Sequence, residues 1–455
     1  MALKVGKLFG KFLNGQPELK AEPHQPSVEH FPLTFDNGTS RVHLRTDADG
    51  SGVLMVNASR IFHLNPTANT MAKLALGKTP ETLAAKQIHR VYDIPLRQAA
   101  SDYQEFVTSL DGLIRPDNLC PIHDLDLELL SPFSDKPSAP YRMDIALTYR
   151  CNNLCDHCYN ARVRSFPELS TDDWKSLLDK LWDLGIPHIV FTGGEPTLRH
   201  DLPELVAHAE KNGQITGINT NGRRLADMAF VQSLVDAGLD HVQITFESSV
   251  PEVHDEMVAH RNAWNETLAG LKNVLQTRLF AMTNTTLLST NLHTLPATLD
   301  FLGALGVPTI GLNALIYSGK GASVGTGLKE SELPPLLDLA REKTAQYGQK
   351  LIWYTPTQYC NFDPVQLELG VKGCTAALYN MCLEPDGSVL PCQSYYQSLG
   401  KIQDEPWEAI WNHPLALKLR ERRELPEKCH SCSLIHECGG GCPLTFDIPE
   451  CDHAK

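Results

Sequence analysis

Strand-like and helix-like stretches alternate six times between residues 141 and 355, and seven cysteines crowd the last eighty residues. A short run of strands followed by helices precedes both. These observations predict an α/β protein: a partial (β/α)6 TIM-like barrel, an N-terminal winged-helix-like α+β domain before it, and a C-terminal segment held by metal centres.

The order along the chain is a tail (1–27), the small domain (28–115), a linker (116–140), the barrel (141–355) and the cysteine-rich segment (356–455). The tail and linker are proline-rich and polar. In the small domain, 41–46, 53–57 and 61–64 have β character. Asn65-Pro66-Thr67 opens the first of three short helices, with proline early in the first turn. In the barrel, strands are expected at 142–148, 188–192, 216–220, 241–246, 281–288 and 309–316, with 351–354 as a further one. Helices fit at 170–184, 202–212, 226–237, 263–276, 295–305 and 330–347, the first opened by the capping sequence Ser170-Thr171-Asp172-Asp173. Beyond about residue 370, helical periodicity gives way to cysteines. A segment so short buries little core and depends on bound metal.

The chain has 455 residues, 42% hydrophobic and 21% charged, with 40 Lys and Arg against 54 Asp and Glu, a formal charge of −14. That balance argues against nucleic acid as a partner, since phosphate binding wants a basic surface. No apolar run reaches the roughly 20 residues that span a bilayer, and the start lacks the apolar core of a signal peptide. Thirteen cysteines without an export signal point to a reducing compartment, the cytoplasm, and to metal ligands rather than disulfides.

Cys151-x3-Cys155-x2-Cys158 follows the first barrel strand. Three thiolates so close suit one iron–sulfur cluster and leave one iron open. A structural zinc site asks for four closed ligands, and His157, between two cysteines, is poorly placed as a fourth. Gly193-Gly194-Glu195-Pro196 ends the second strand, and its glycines let the backbone approach a ligand. Barrels of this kind carry their sites at these strand ends. Asn219, Thr220 and Asn221 end the third strand, Glu247 and Ser248 the fourth, and Asn284 and Thr286 lie on the fifth. For each, a strand-end role stands beside a ligand-facing one.

With His157 before the third cysteine and the Gly-Gly-Glu turn at the next strand, residues 141–355 resemble the radical S-adenosylmethionine superfamily. The resemblance implies a 4Fe-4S cluster on Cys151, Cys155 and Cys158. Its open iron chelates S-adenosylmethionine, and reductive cleavage yields methionine and a 5′-deoxyadenosyl radical that abstracts a substrate hydrogen. It implies ligand contacts from Gly193, Gly194, Glu195, Glu247 and Ser248, with Tyr159 near the adenine, and a low-potential electron donor such as flavodoxin or ferredoxin.

The later cysteines read Cys374-x12-Gly387-x4-Cys392, then Cys429-x2-Cys432-x5-Cys438-x3-Cys442, then Cys451. Two zinc knuckles would suit the middle four but leave the Pro385-Asp386-Gly387 turn before Cys392 unexplained. The whole pattern resembles the SPASM extension of radical enzymes. That resemblance implies two auxiliary 4Fe-4S clusters, three clusters in all. Cys374, Cys392 and Cys442 would hold the first auxiliary cluster, and Cys429, Cys432, Cys438 and Cys451 the second. The first is then one ligand short, with Cys382 the nearer candidate and Cys360 the other. Cys120 has no evident partner. In sulfatase-maturing relatives an aspartate base follows the second of these cysteines. Here Gln393 stands there, which argues against that activity; Tyr395 and Tyr396 follow as packing or relay residues.

Ile61-Phe62-His63-Leu64-Asn65-Pro66-Thr67-Ala68 and the helices after it resemble the PqqD-like peptide-recognition domain. Relatives of that domain bind an extended leader peptide along a sheet edge. A winged-helix DNA reader is the alternative, but the helix over 81–90 offers only Lys86, His89 and Arg90; a purely structural domain is another. Together the readings imply an enzyme that oxidatively cross-links a ribosomally made precursor peptide. The alternative substrate is a small molecule or cofactor precursor such as a tetrapyrrole, and an iron–sulfur regulator is a third possibility.

Overall fold

The computed structural model describes residues 27–36, 38–57, 60–115, 137–161 and 167–446. Cys120 and Cys451 lie outside the described residues. The chain divides into two compact units. One holds the described residues up to Ser138 together with Leu181–Pro187, the other Ala139–Lys180 and everything from His188 on.

In the first unit, β1 (Ser27–Phe35), β2 (Gly38–Thr46), β3 (Gly52–Val56) and β4 (Arg60–Leu64) form an antiparallel meander in sequence order. Three helices follow: α1 (Pro66–Leu76), α2 (Glu81–Tyr92) and α3 (Leu96–Ile114). The Asn65 side chain caps α1 by accepting from Ala68 N at 2.8 Å, and Pro66 fills the first turn, where no N–H is needed. Val42, Leu44, Leu54 and Val56 from the sheet pack against Met71, Ile88 and Phe106 from the helices. Strand β1 is one more than the sequence predicted. It carries Pro32, which only an edge strand tolerates, and buries a single face through Phe31, Leu33 and Phe35. The last helix, at nineteen residues, is not short.

In the second unit, β5 (Arg142–Thr148), β6 (His188–Gly193), β7 (Ile215–Thr220), β8 (His241–Thr245), β9 (Phe280–Thr286), β10 (Thr309–Asn313) and β11 (Lys350–Trp353) lie side by side in chain order, all parallel. Six β/α crossovers link them. β12 (Asn380–Leu383) adds to the far side of β5, in parallel, and β13 (Val389–Leu390) pairs with β12 in a hairpin. The sheet is a partial barrel: its order ends in β11 on one side and β13 on the other. The cysteine-rich segment therefore begins as part of the barrel sheet, joined by Cys382 opposite Asp144. Ser170 caps the first barrel helix, its hydroxyl accepting from Asp173 N at 3.2 Å. A helix over Pro251–Met257 had no sequence signal beyond its proline; seven residues are too few to show a period. Among the described residues, no helix is long and apolar enough to cross a membrane.

Candidate radical and auxiliary sites

The loop carrying Cys151, Cys155 and Cys158 leaves the C-terminal end of β5 and is fastened by the ends of four other strands. From β6, Gly194 N donates to Thr148 O at 2.7 Å and Glu195 N to Arg150 O at 2.8 Å, while Asn160 Nδ2 donates back to Gly193 O at 2.9 Å. A Cβ on Gly193 would lie 2.2 Å from Thr148 O, and one on Gly194 2.4 Å from Arg150 O. No side chain fits there, so the glycines let the Gly-Gly-Glu turn close against the cysteine loop.

From beyond β7, Asn221 Nδ2 donates to Asn152 Oδ1 at 2.6 Å, and Arg223 reaches Asn152 O at 2.5 Å and Asn153 Oδ1 at 2.9 Å. From the segment after β8, Val258 O accepts from Leu154 N at 3.1 Å. From the loop after β10, Lys320 N donates to Cys158 O and Lys320 Nζ to Leu154 O, both at 3.0 Å. Gly319 makes that approach possible, since its Cβ would fall 2.5 Å from Tyr159 O. Asn160, Arg223, Gly319 and Lys320 were missed in the sequence. They are far apart in the chain, and nothing about them is unusual until the barrel brings them to one mouth.

The three thiols are held close. Burial pushes each of them up, Cys151 to about 11, and neighbouring charges add to this: Glu195 and Cys158 at Cys151, and Cys158, Glu247 and Cys151 at Cys155. Sulfurs that disfavour one another's charge while unliganded are the ligand set that a cationic iron cluster reverses. The residues present therefore fit an iron–sulfur group.

Other predicted contacts have different occupations. The Glu195 carboxylate accepts from Thr197 N at 3.0 Å, Thr197 Oγ1 at 2.6 Å, Thr220 Oγ1 at 2.7 Å and Asn221 N at 2.8 Å. Three of these donors meet Oε1 and Asn221 N meets Oε2, so the carboxylate ties β6 to β7. Glu247 lies under the cysteine loop: one oxygen meets His157 Nε2 at 3.0 Å, and the other accepts from Thr286 N at 2.9 Å. Burial pushes the His157 imidazole down, but the Glu247 charge and hydrogen bond override it and the net shift is upward. Ser248 is fully buried; its hydroxyl donates to Thr294 Oγ1 at 2.9 Å and accepts from Val250 N at 3.0 Å. Asn284 Nδ2 donates to Asn313 Oδ1 at 2.8 Å. The Tyr159 hydroxyl, expected near an adenine, donates to Gln393 Oε1 at 2.6 Å. It thus links the residue after Cys158 to the residue after Cys392.

Two further groups of thiols form in the C-terminal segment. Cys374, Cys392 and Cys442 are pushed up by burial, Cys392 to about 12; Cys374 further raises both of the others, and Cys392 raises Cys442. The hairpin before Cys392 turns at Gly387, whose φ of 83° suits glycine. Cys382 faces an apolar nest of Ala146 and Leu390, with Tyr149 and Tyr396 against it, and its thiol meets Leu383 O at 3.4 Å. That is the packing of a core thiol and argues against its expected ligand role. Cys429 has Cys438, Cys360 and Cys432 as neighbouring charges, and Cys438 also acts on Cys360. The Arg422 guanidinium packs over Gly439, where a Cβ would fall 0.9 Å from a terminal nitrogen. Burial pushes this arginine down, against the opposing pull of Cys374 and Cys438. Among the described residues, no three His, Cys, Asp or Glu side chains converge tightly enough to hold a single metal ion.

A thiol triad at the C-terminal mouth of a parallel partial barrel, with more thiol groups behind it, defines an iron–sulfur enzyme. The chain matches the Radical SAM superfamily over residues 145–302 and the SPASM iron–sulfur cluster-binding domain over 374–433. PqqA peptide cyclase of Bradyrhizobium diazoefficiens is 30% identical over 335 residues, 69% of this chain and 86% of that protein. Fe-coproporphyrin III synthase of Methanosarcina barkeri is 29% identical over 324 residues, 65% of this chain and 81% of that one. The solved structure of Streptococcus suis SuiB bound to precursor peptide SuiA shares the fold, with a TM-score of 0.66 at 15% identity over 92% of this chain and 96% of that one.

The chain belongs to the radical S-adenosylmethionine superfamily and carries a SPASM domain. It is a radical SAM enzyme whose domains bind iron–sulfur clusters and S-adenosylmethionine.

Proposed function

We propose that this enzyme oxidatively cross-links a ribosomally made precursor peptide. The observation that carries this reading is the N-terminal unit. The likeness to SuiB extends over more of the chain than the barrel and SPASM segment make up, so it takes in the strand meander and its helices as well. An extended leader peptide binds by adding a strand to a sheet, and the 30% identical PqqA peptide cyclase acts on a peptide by its name.

Cys151, Cys155 and Cys158 would hold the radical cluster, and Gly193 and Gly194 would offer backbone carbonyls to the ammonium of S-adenosylmethionine. When bound, that pair supplies a 5′-deoxyadenosyl radical. The chain's own residues do the positioning. Glu195 sets the strand ends, Glu247 holds His157 and the loop, and Tyr159 fixes the loop against Gln393. Two auxiliary clusters on the later cysteines would make three in all, and the electron would come from a low-potential flavodoxin or ferredoxin. With glutamine at 393, sulfatase maturation stays unsupported.

The test is deletion of residues 27–115. The truncated protein keeps cleavage of S-adenosylmethionine but loses modification of its leader-bearing peptide. Unchanged peptide turnover after the deletion would sink the reading. A second reading, action on a tetrapyrrole, is favoured by the Fe-coproporphyrin III synthase relative; it predicts conversion of a tetrapyrrole precursor to an iron-coproporphyrin regardless of the deletion.

A further inference from the structure

We propose that Asp144 and Gln393 are positioning residues of the radical site: Asp144 orients the Gln393 amide, Gln393 holds Tyr159, and Tyr159 sets the Cys158 end of the cluster loop for S-adenosylmethionine. This rests on membership of the superfamily alone, whichever substrate is modified.

Asp144 is a carboxylate with no part in the chemistry described above. It lies in the middle of β5 at 2% exposure. A charge at that depth is costly unless partnered. Arg142, two residues earlier and so on the same face of the strand, is the first partner. Its Nε lies 3.0 Å from Asp144 Oδ1, and its Nη2 donates to Oδ2 at 3.2 Å. Gln393 is the second. Burial pushes the Asp144 carboxyl up, and Arg142 and then a hydrogen bond from Gln393 oppose the rise.

The other atom of the Gln393 amide is engaged as well: Oε1 accepts from the Tyr159 hydroxyl at 2.6 Å. A carboxamide is neutral, accepts at its oxygen and donates at its nitrogen. A place between a hydroxyl and a carboxylate calls for that combination. An acid at 393 would accept from Tyr159 equally well but would set a second carboxylate against Asp144. The glutamine found where sulfatase-maturing relatives carry an aspartate thus has a local physical cause.

Tyr159 directly follows Cys158, and Gln393 directly follows Cys392. The polar chain Arg142–Asp144–Gln393–Tyr159 therefore runs from the body of β5 to the loop that strand leads into. A second tie stands beside it. Ser318 Oγ donates to Ser394 O at 2.8 Å, and Lys320 N donates to Cys158 O at 3.0 Å. That tie uses no side chain at 393, so a substitution there alters the setting of the loop and leaves it attached.

Direct contact of Gln393 with the substrate is the competing account, and the two differ in S-adenosylmethionine binding when no substrate is present. The test uses full-length holoprotein, reduced and anaerobic, without peptide. The Kd is read from the change in the electron paramagnetic resonance signal of the barrel cluster as S-adenosylmethionine is added, with iron counted in every sample. Gln393→Glu should weaken binding roughly tenfold, the scale of one buried hydrogen bond lost to a charged group. Asp144→Asn in that same protein rebuilds the chain in reverse, with the amide at 144 and the carboxylate at 393, and should recover most of the affinity. Wild-type binding by Gln393→Glu, or no recovery in the double variant, would overturn the proposal.

Tyr159→Phe removes the same hydrogen bond without changing charge, and it decides the matter where Gln393→Glu fails to keep its barrel iron. It should weaken binding about fivefold. Gln393→Leu added to it should cost little more, because both changes break one interaction. Unchanged binding by Tyr159→Phe, or a second loss that adds in full, would equally overturn the proposal.

Discussion

The cysteine loop at the barrel mouth and the thiol groups behind it reach the same chemistry by opposite routes. The loop is held by protein: Gly193, Glu195, Asn221, Arg223, Val258 and Lys320, from four strand ends, bond to it directly. The segment over 426–446 has only a four-residue helix and short 3-10 turns, and its thiols are its principal points of convergence. A site preorganised by its scaffold can leave one iron position open to a ligand without collapsing. A site with little secondary structure draws its order from the metal it binds.

Removing the metal gives the largest effect on this contrast. Iron chelation should strip hydrogen-exchange protection from 426–446 while the amides of β5 and β6 keep theirs. Equal loss in both regions would break the comparison.

Gly194→Ala attacks the other side. Its Cβ would fall 2.4 Å from Arg150 O, and overpacking of this kind costs about 1–3 kcal/mol. The variant should lose iron selectively from the barrel site, read as a drop in bound S-adenosylmethionine with auxiliary iron intact.

A smaller effect comes from the opposite, N-terminal end of the strands. His188 Nε2 and His241 Nε2 lie 2.9 Å apart and buried, so one must be bare while the other donates. Burial, helped by Arg142, pushes His241 down to about 3. A histidine kept neutral in the folded state binds fewer protons than in the unfolded chain. Stability is therefore full above about pH 6.5 and falls as pH drops towards 3, by roughly 1.4 kcal/mol per unit. His241→Gln should flatten that slope in denaturant titrations of the holoprotein. An unchanged slope would place the acid sensitivity in the metal centres instead.

The sequence carried the barrel well because its strands are β-branched runs such as 188–192 and its helices have capped starts. β1 was hidden by Pro32 and by burial of only one face. Ligand types at short spacing, such as Cys151, Cys155 and Cys158, were also legible. The roles of single polar residues were not: Glu195, Glu247, Ser248 and Tyr159 are each engaged by partners more than twenty residues away. The surroundings of Cys382 were not legible either, because strand pairing with β5 sets it in an apolar nest with Ala146 and Leu390.

The most direct measurement is an anaerobic turnover of the reduced enzyme with S-adenosylmethionine, offered its leader-bearing peptide and a tetrapyrrole precursor of iron-coproporphyrin in parallel, with 5′-deoxyadenosine and product masses followed together. The account predicts 5′-deoxyadenosine formed in step with a peptide that has lost two hydrogens, and an unchanged tetrapyrrole. Iron-coproporphyrin formed beside an untouched peptide would contradict it.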